Sequence, residues 1–213
     1  DHRDLHSFPT RRSSDLLAMI KSDIFYHAFE SAFAACPSDH PFVRRQGKIP
    51  KYRAQTSAGS LSMWFKVNPK ASAIPYHAGE FWPVIEAMDF RYDPQDEGTI
   101  SWYQYTDSGM EKRMRRMQQR VYDKVKKQKE FENESFRIMR DVSLGLMKEF
   151  IKQGFQARLP HTALYYLDES DAAEWGEILG KQLPVWTKKF FARPETLMGY
   201  MWRVHWNETS RQK

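Results

Sequence analysis

The sequence predicts an α+β domain: a single, mostly antiparallel sheet of about four strands, with long helices packed on one face. Apolar residues recur at helical spacing over 24–33 and again over 110–125. The turn-rich stretch TSAGS separates two predicted strands, so these strands form a hairpin. The stretch 61–67 has the period of two expected for a half-buried strand, with apolar residues at Leu61, Met63, Phe65 and Val67.

The first part of the chain predicts a helix followed by the hairpin. SDIFYHAFESAFAAC is an amphipathic helix with Ser22 available as its N-cap and Pro37 beyond its end. KIPKYRAQ and LSMWFKVNP are the two hairpin strands. An irregular stretch rich in proline then leads to a short predicted helix, GEFWPVIEAM, at 79–88.

The middle of the chain predicts two more strands around two long helices. TISWYQYT, at 99–106, is a third strand, because it is dense in β-favouring residues. From Ser108 the period changes to 3.6, which predicts helices over 108–130 and 134–153, the second ending near Gly154. TALYYLD is the fourth strand.

The last part of the chain is predicted to be helical again. Pro194 suits the first turn of a terminal helix. An apolar stripe before Pro184 consists of Trp175, Ile178, Leu179 and Leu183, and the inward face of the terminal helix consists of Leu197, Tyr200, Met201 and Val204.

The first sixteen residues, DHRDLHSFPTRRSSDL, resemble the translation of a universal adapter oligonucleotide used in short-read DNA sequencing. The match is unbroken and implies a gene recovered from metagenomic sequencing. Residues 1–18 are therefore interpreted as a non-native leader, with Met19 as the expected start. Because no linker-like composition divides the remainder, 19–206 is predicted to be one domain and 207–213 a polar tail.

Composition narrows the function classes. Cys36 is the only cysteine, which excludes an internal disulfide and favours a reducing cytoplasm. We interpret Cys36 itself as a small buried hydrophobic residue. No apolar run is long enough to predict a transmembrane helix. The net charge of +6 equals the charge of 107–129 alone, which contains nine Lys and Arg residues and three acidic residues, Asp107, Glu111 and Asp123.

The basic helix at 108–129 is the most distinctive functional feature. Its narrow apolar face should lie against the core, and its charges fall opposite that face. Its exposed basic residues Arg113, Arg116, Arg120, Lys124 and Lys127, which we call the ridge, could neutralise phosphates of a nucleic acid. Alternatively, acidic residues such as those of DPQDE or ENE pack beside it, or it is a solvated face. The candidate polyanion-binding residues are Arg113, Arg116, Arg120, Lys124 and Lys127.

Aromatic residues could add a stacking platform to such a surface. The candidates on predicted strands are Trp64, Trp102, Tyr103 and Tyr105, although strand aromatics also serve as core or cross-strand pairs.

Catalytic motifs are scarce. The sequence has no Walker loop, no GxGxxG, no zinc spacing and no GxSxG, so we predict neither a cofactor nor a metal site. Asp93, Asp96 and Glu97 could hold Mg²⁺ in a metal-dependent phosphodiesterase or nuclease, but a turn explains the same composition. His77 and Glu80, on a loop rich in proline and glycine, are the second weak catalytic candidate.

The leading helix, the hairpin with WFKVNP and the closing YYLD…LPVWTKKFFARPETLMGYM resemble the bacterial domain-of-unknown-function family 4304. The resemblance covers most of 19–204, and its motifs are loose. The long basic helix and the loop YHAGEFWP depart from the family pattern. The resemblance implies a small cytoplasmic α+β protein without an assigned reaction, and it transfers no catalytic residues.

We therefore expect a cytoplasmic, non-enzymatic binding protein of bacterial or phage origin. It would act through a surface recognised by a macromolecular partner, protein or nucleic acid, and not at a membrane. The alternatives are a nucleic-acid-binding protein that uses the basic helix, and a metal-dependent phosphodiesterase.

Overall fold

The computed structural model describes residues 20–36, 41–55, 60–68, 78–88, 98–100, 106–128, 134–156 and 163–192. These residues contain four α-helices and six strands. All six strands pair antiparallel in one sheet, which confirms the predicted α+β class. In chain order the elements are α1 Ser22–Ala34, β1 Val43–Arg45, β2 Lys51–Gln55, β3 Ser60–Val67, β4 Gly79–Met88, β5 Gly98–Ile100, α2 Ser108–Lys126, α3 Glu134–Gln153, a 3-10 turn Gly154–Gln156, β6 Leu164–Tyr166 and α4 Glu169–Ala192.

The sheet runs in the order β1-β2-β3-β4-β5, and β6 pairs with β4 beside β5. The predicted hairpin is confirmed, with Lys51 opposite Trp64 and Gln55 opposite Ser60. The third and fourth predicted strands correspond to β5 and β6, and positions 101–105 lie outside the described residues. Sequence reasoning missed β1 and β4, so the sheet has more strands than the four predicted.

The predicted helix at 79–88 is wrong, because this segment is the central strand β4. Asn68 N donates to Glu80 O, and the alternation of an antiparallel ladder then puts Pro83 opposite Phe65 in a non-hydrogen-bonded pair. The other edge of β4 pairs with β6 at 79–81 and with β5 at 85–87. Pro83 falls between these pairings, where its missing N–H costs no ladder hydrogen bond.

Helix α1 covers one face of the sheet, which we call the inner face. Its Phe25 and Phe29 are fully buried, with ring centroids 4.9 Å from Phe81 and 4.4 Å from Phe65, respectively. Trp175 of α4 also reaches Phe81, at 5.9 Å. The sheet and these two helices therefore share one aromatic core.

Helix α4 continues through Pro184, whereas the predicted apolar stripe ended there. Trp186, beyond the proline, is fully buried and donates from Nε1 to Thr106 Oγ1 at 3.4 Å. Burial of this indole offsets the proline's cost to the helix, about 3 kcal/mol. The predicted terminal helix from Pro194 lies outside the described residues.

Helices α2 and α3 confirm their predicted positions. The predicted apolar face of α2 is buried, and α3 ends at Gln153, directly before Gly154, whose φ of 61° is left-handed. Arg115 Nε donates to Ile151 O at 2.7 Å, which supplies a partner to a carbonyl in the last turn of α3. Because α2 lies between α3 and α4, α3 forms an outer layer of the described fold.

Candidate nucleic-acid interface

Cations of α2 form ion pairs with carboxylates of α4. Arg113 Nη2 lies 2.8 Å from Glu177 Oε1. About three turns further along α2, Lys124 Nζ lies 2.7 Å from Asp168 Oδ2 and 2.7 Å from Asp171 Oδ1. These pairs link the two helices, so the ridge contributes to tertiary packing.

Arg120, between them, pairs with Glu174 and lies 3.6 Å from Asp171. Three of the five predicted polyanion-binding residues thus have carboxylate partners inside the fold. Sequence reasoning sought those partners elsewhere in the chain. The signal that it missed is a run of carboxylates every third residue, at Asp168, Asp171, Glu174 and Glu177.

The start of α4 anchors this ionic layer. The Asp171 side chain is fully buried and accepts a hydrogen bond from Leu167 N at 2.9 Å. Asp168 Oδ1 accepts from Asp171 N, as an N-cap side chain does, and from Ser170 Oγ. Burial opposes the charged form of Asp168, but hydrogen bonds from Lys124 and Ser170 outweigh it and hold its pKa below the usual value.

Arg116 and Lys127, the other two ridge residues, are exposed and form no ion pair with any residue that the structure describes. Of the acidic stretches proposed as their partners, 93–97 lies outside the described residues. In the other, Glu134 pairs with Arg137 of its own helix at 3.0 Å. Nucleic-acid binding by the ridge stays a prediction, now with only these two cations unpaired.

The metal-dependent phosphodiesterase is not tested by the described residues, among which no group of three His, Cys, Asp or Glu is placed to hold a metal ion. Glu80 lies on β4 and accepts a hydrogen bond from Asn68 Nδ2 at 3.0 Å. The remaining catalytic candidates fall outside the described residues: Asp93, Asp96, Glu97 and His77.

The sheet face opposite α1, which we call the outer face, carries exposed cations beside tryptophans. The period of two gives this face its composition, because the alternate residues of β2, β3 and β4 point into the core. The face is only partly exposed, since Ser60, Ser62 and Val84, which share it, are buried. In one row across the sheet, Arg45 pairs with Lys51 and Lys51 with Trp64. In the next row along β3, Lys66 pairs with Trp82.

Each tryptophan of the outer face has a lysine over its ring. Lys51 Nζ lies 4.4 Å from the ring centroid of Trp64, and Lys66 Nζ lies 5.3 Å from that of Trp82. Both indoles are half-buried, whereas the two lysines and Arg45 are exposed. Within the described residues these three cations make no ion pair. Glu80 lies on the same face, where its carboxylate accepts a hydrogen bond from Asn68.

The sequence located only half of this arrangement. Trp64 was predicted as a strand aromatic that could stack on bases, whereas Trp82 was missed because 79–88 was assigned to a helix. The other predicted stacking residues, Trp102, Tyr103 and Tyr105, lie outside the described residues.

Cys36 is a buried free thiol, as predicted. Burial raises its pKa, against the opposing effect of Lys181. Its Sγ lies 3.5 Å from Glu177 O, where α1 meets α4. The thiol is therefore a packing group in this interface.

Comparisons with family models, with curated proteins and with solved structures give no match for this chain. The resemblance to family 4304 and the adapter origin of 1–16 stay predictions. None of the described helices has the length and apolar character needed to cross a membrane.

Proposed function

We propose that this protein is a non-catalytic binding protein whose macromolecular partner is single-stranded nucleic acid, held on the outer face of the sheet. The observation that carries the proposal is the pair of tryptophans, Trp64 and Trp82, each with a lysine over its ring. Aromatic platforms inside a cationic groove are the common means of binding single strands without reading their sequence.

The two components of the face have separate roles. Unpaired bases stack on the indoles and replace the lysine contacts, at about 1–3 kcal/mol for each stacked base. Arg45, Lys51 and Lys66 then contact phosphates and release counterions, which makes the affinity fall as salt rises. A duplex keeps its bases stacked inside, so we expect it to bind more weakly than a single strand.

The outer face suits this role better than the α2 ridge does. Binding of phosphates at Arg113, Arg120 or Lys124 would have to break ion pairs with α4, two of which involve the buried carboxylate Asp171. Lys51 and Lys66 have no carboxylate to give up among the described residues. We also propose a cytoplasmic location, which the presence of a single cysteine, the buried Cys36, supports.

Fluorescence anisotropy of labelled single- and double-stranded oligonucleotides, at low and near-physiological salt, tests the proposal. We expect the single strand to bind more tightly, with a steep salt dependence and quenching of tryptophan fluorescence. Trp64→Ala should weaken binding roughly 5- to 150-fold, the equivalent of one lost stacked base. Lys51→Glu with Lys66→Glu should weaken it further and flatten the salt dependence.

The matched control reverses two charges on α2 instead, with Arg116→Glu and Lys127→Glu. Both double variants change the net charge equally, and neither touches an ion pair within the described residues. Loss of binding in the sheet variant alone supports the outer face. Loss in the α2 variant alone assigns binding to the basic helix, and no binding by the unmodified chain at low salt rejects nucleic acid altogether.

A further inference from the structure

Helix α3 presents a row of large apolar side chains to solvent. Ile138 and Val142 are 56% and 58% exposed, and Met139 and Leu146 are 39% and 40% exposed. At 100° per residue these four fall within one arc of about 100°; the buried Phe150 borders this arc beside Met139, and the buried Met147 lies further round the helix. Scattered apolar residues are normal on a surface, but a continuous stripe on one helix marks an interaction site.

Gly145 lies next to this stripe, and no contact among the described residues explains its position. A β-carbon built at Gly145 meets no atom within 4 Å in the part of the chain that the structure describes, so no described residue needs the space. Glycine inside a helix costs about 1 kcal/mol relative to alanine. The small residue lets another helix approach α3 closely, as α1 approaches Gly176 and Gly180 on α4.

We propose that the exposed face of α3 binds the same face of a second copy, with the two helices antiparallel. The charges beside the stripe carry this choice of partner. Glu134 lies eight residues before Val142, whereas Lys148 and Lys152 lie six and ten residues after it. In an antiparallel pair centred on Val142, Glu134 of one copy, which also pairs with Arg137 of its own helix, lies beside Lys148, Glu149 and Lys152 of the other copy, a net attraction. The same arrangement places Ile138 opposite Leu146.

A parallel pair would instead bring the two Glu134 side chains together and the lysines together, which is repulsive. The antiparallel arrangement is also compatible with a two-fold symmetric dimer, in which the same patch is used on both copies. Because the stripe is short compared with a standard interface, we expect a weak dimer with a dissociation constant in the micromolar range.

Sedimentation velocity of the full chain over a wide range of concentration tests the proposal. We expect reversible dimers that Val142→Glu converts to monomers without a change in the far-ultraviolet circular dichroism. The matched control is Ile49→Glu, since Ile49 is 52% exposed and lies outside α3. Glu134→Lys should also weaken the dimer, and Lys148→Glu in the same chain should restore it.

Cysteine cross-linking decides the orientation. Under mild oxidation, a chain with Ile138→Cys should form a disulfide with a chain carrying Leu146→Cys faster than either forms one with itself. If the unmodified chain stays monomeric at every concentration, the proposal is overturned. Another segment, such as 193–213 of this chain, would then be the candidate that binds the exposed face of α3. Dimers that Val142→Glu leaves intact, or faster self-linking of Ile138→Cys, overturn it as well.

Discussion

Gly176 of α4 lies so close to Phe29 of α1 that a β-carbon on the glycine would come within 2.2 Å of the Phe29 carbonyl oxygen. The clash is with backbone, so a side-chain rotation cannot relieve it. Close packing of these two helices, which also bury Trp175 and Phe25 against the sheet, therefore depends on the absence of a side chain at this position.

Replacing this glycine should separate the two helices. Gly176→Ala should lower the free energy of unfolding by roughly 1–3 kcal/mol or more, as overpacking does. Gly145→Ala, measured at concentrations where the chain is monomeric, is the matched control, because the same change meets no atom of the described residues within 4 Å and removes a helix-breaking residue. It should raise stability by about 0.5–1 kcal/mol. Urea unfolding measures both, and equal effects would contradict the close-packing argument.

Replacing Asp171, the buried carboxylate between α2 and α4, should lower the free energy of unfolding more than replacing Glu174, which is partly exposed. Asp171→Ala leaves Lys124 with one carboxylate and removes the acceptor of Leu167 N, so we expect a loss of about 2–4 kcal/mol. Glu174→Ala removes a side chain that is 32% exposed and should cost less than about 1 kcal/mol. Urea unfolding of the two variants gives the comparison. Equal losses would show that burial of Asp171 adds nothing.

Stability should fall in acid partly through Glu177. Hydrogen bonds from Lys181 and Arg113 lower the pKa of this carboxyl from 4.5 to about 2 in the folded protein. Between these two values the unfolded chain binds more protons than the folded protein. The contribution of Glu177 to the free energy of unfolding is therefore lost as the pH falls from about 4.5 to about 2. Glu177→Gln should flatten the stability profile in this window, whereas a parallel shift of the whole profile would contradict the assignment.

Cys36 should react only when α1 separates from α4. The side chain is 6% exposed and burial raises its pKa, so little reactive thiolate exists in the folded protein. Ellman's reagent should modify it slowly in buffer and rapidly in denaturing urea. Gly176→Ala should accelerate the reaction in buffer by loosening the same interface, and Gly145→Ala should not.

The class of most described elements followed from the sequence. The period of two located β3 and the period of 3.6 located α1, α2 and α3, because each period reports which side of a single element is buried. The turn-rich TSAGS located β2 as the other strand of the hairpin. Even the apolar face of α2 was correct, from Met114 to Val125. The prediction for 79–88 was wrong because the identity of this segment depends on β3 and β6 on either side, where Pro83 pairs with Phe65 at a position that needs no hydrogen bond from its nitrogen.

Pairing of charges and aromatics across the chain was decided by the tertiary structure. The cations of α2 and the carboxylates of α4 are more than forty residues apart, so no local pattern could show that Lys124 reaches Asp171. Trp64 and Trp82 likewise share a face only because β3 and β4 are neighbours in register. Composition and periodicity determined the elements and the excess of positive charge; contacts between distant segments determined which of those charges are neutralised and which face outward.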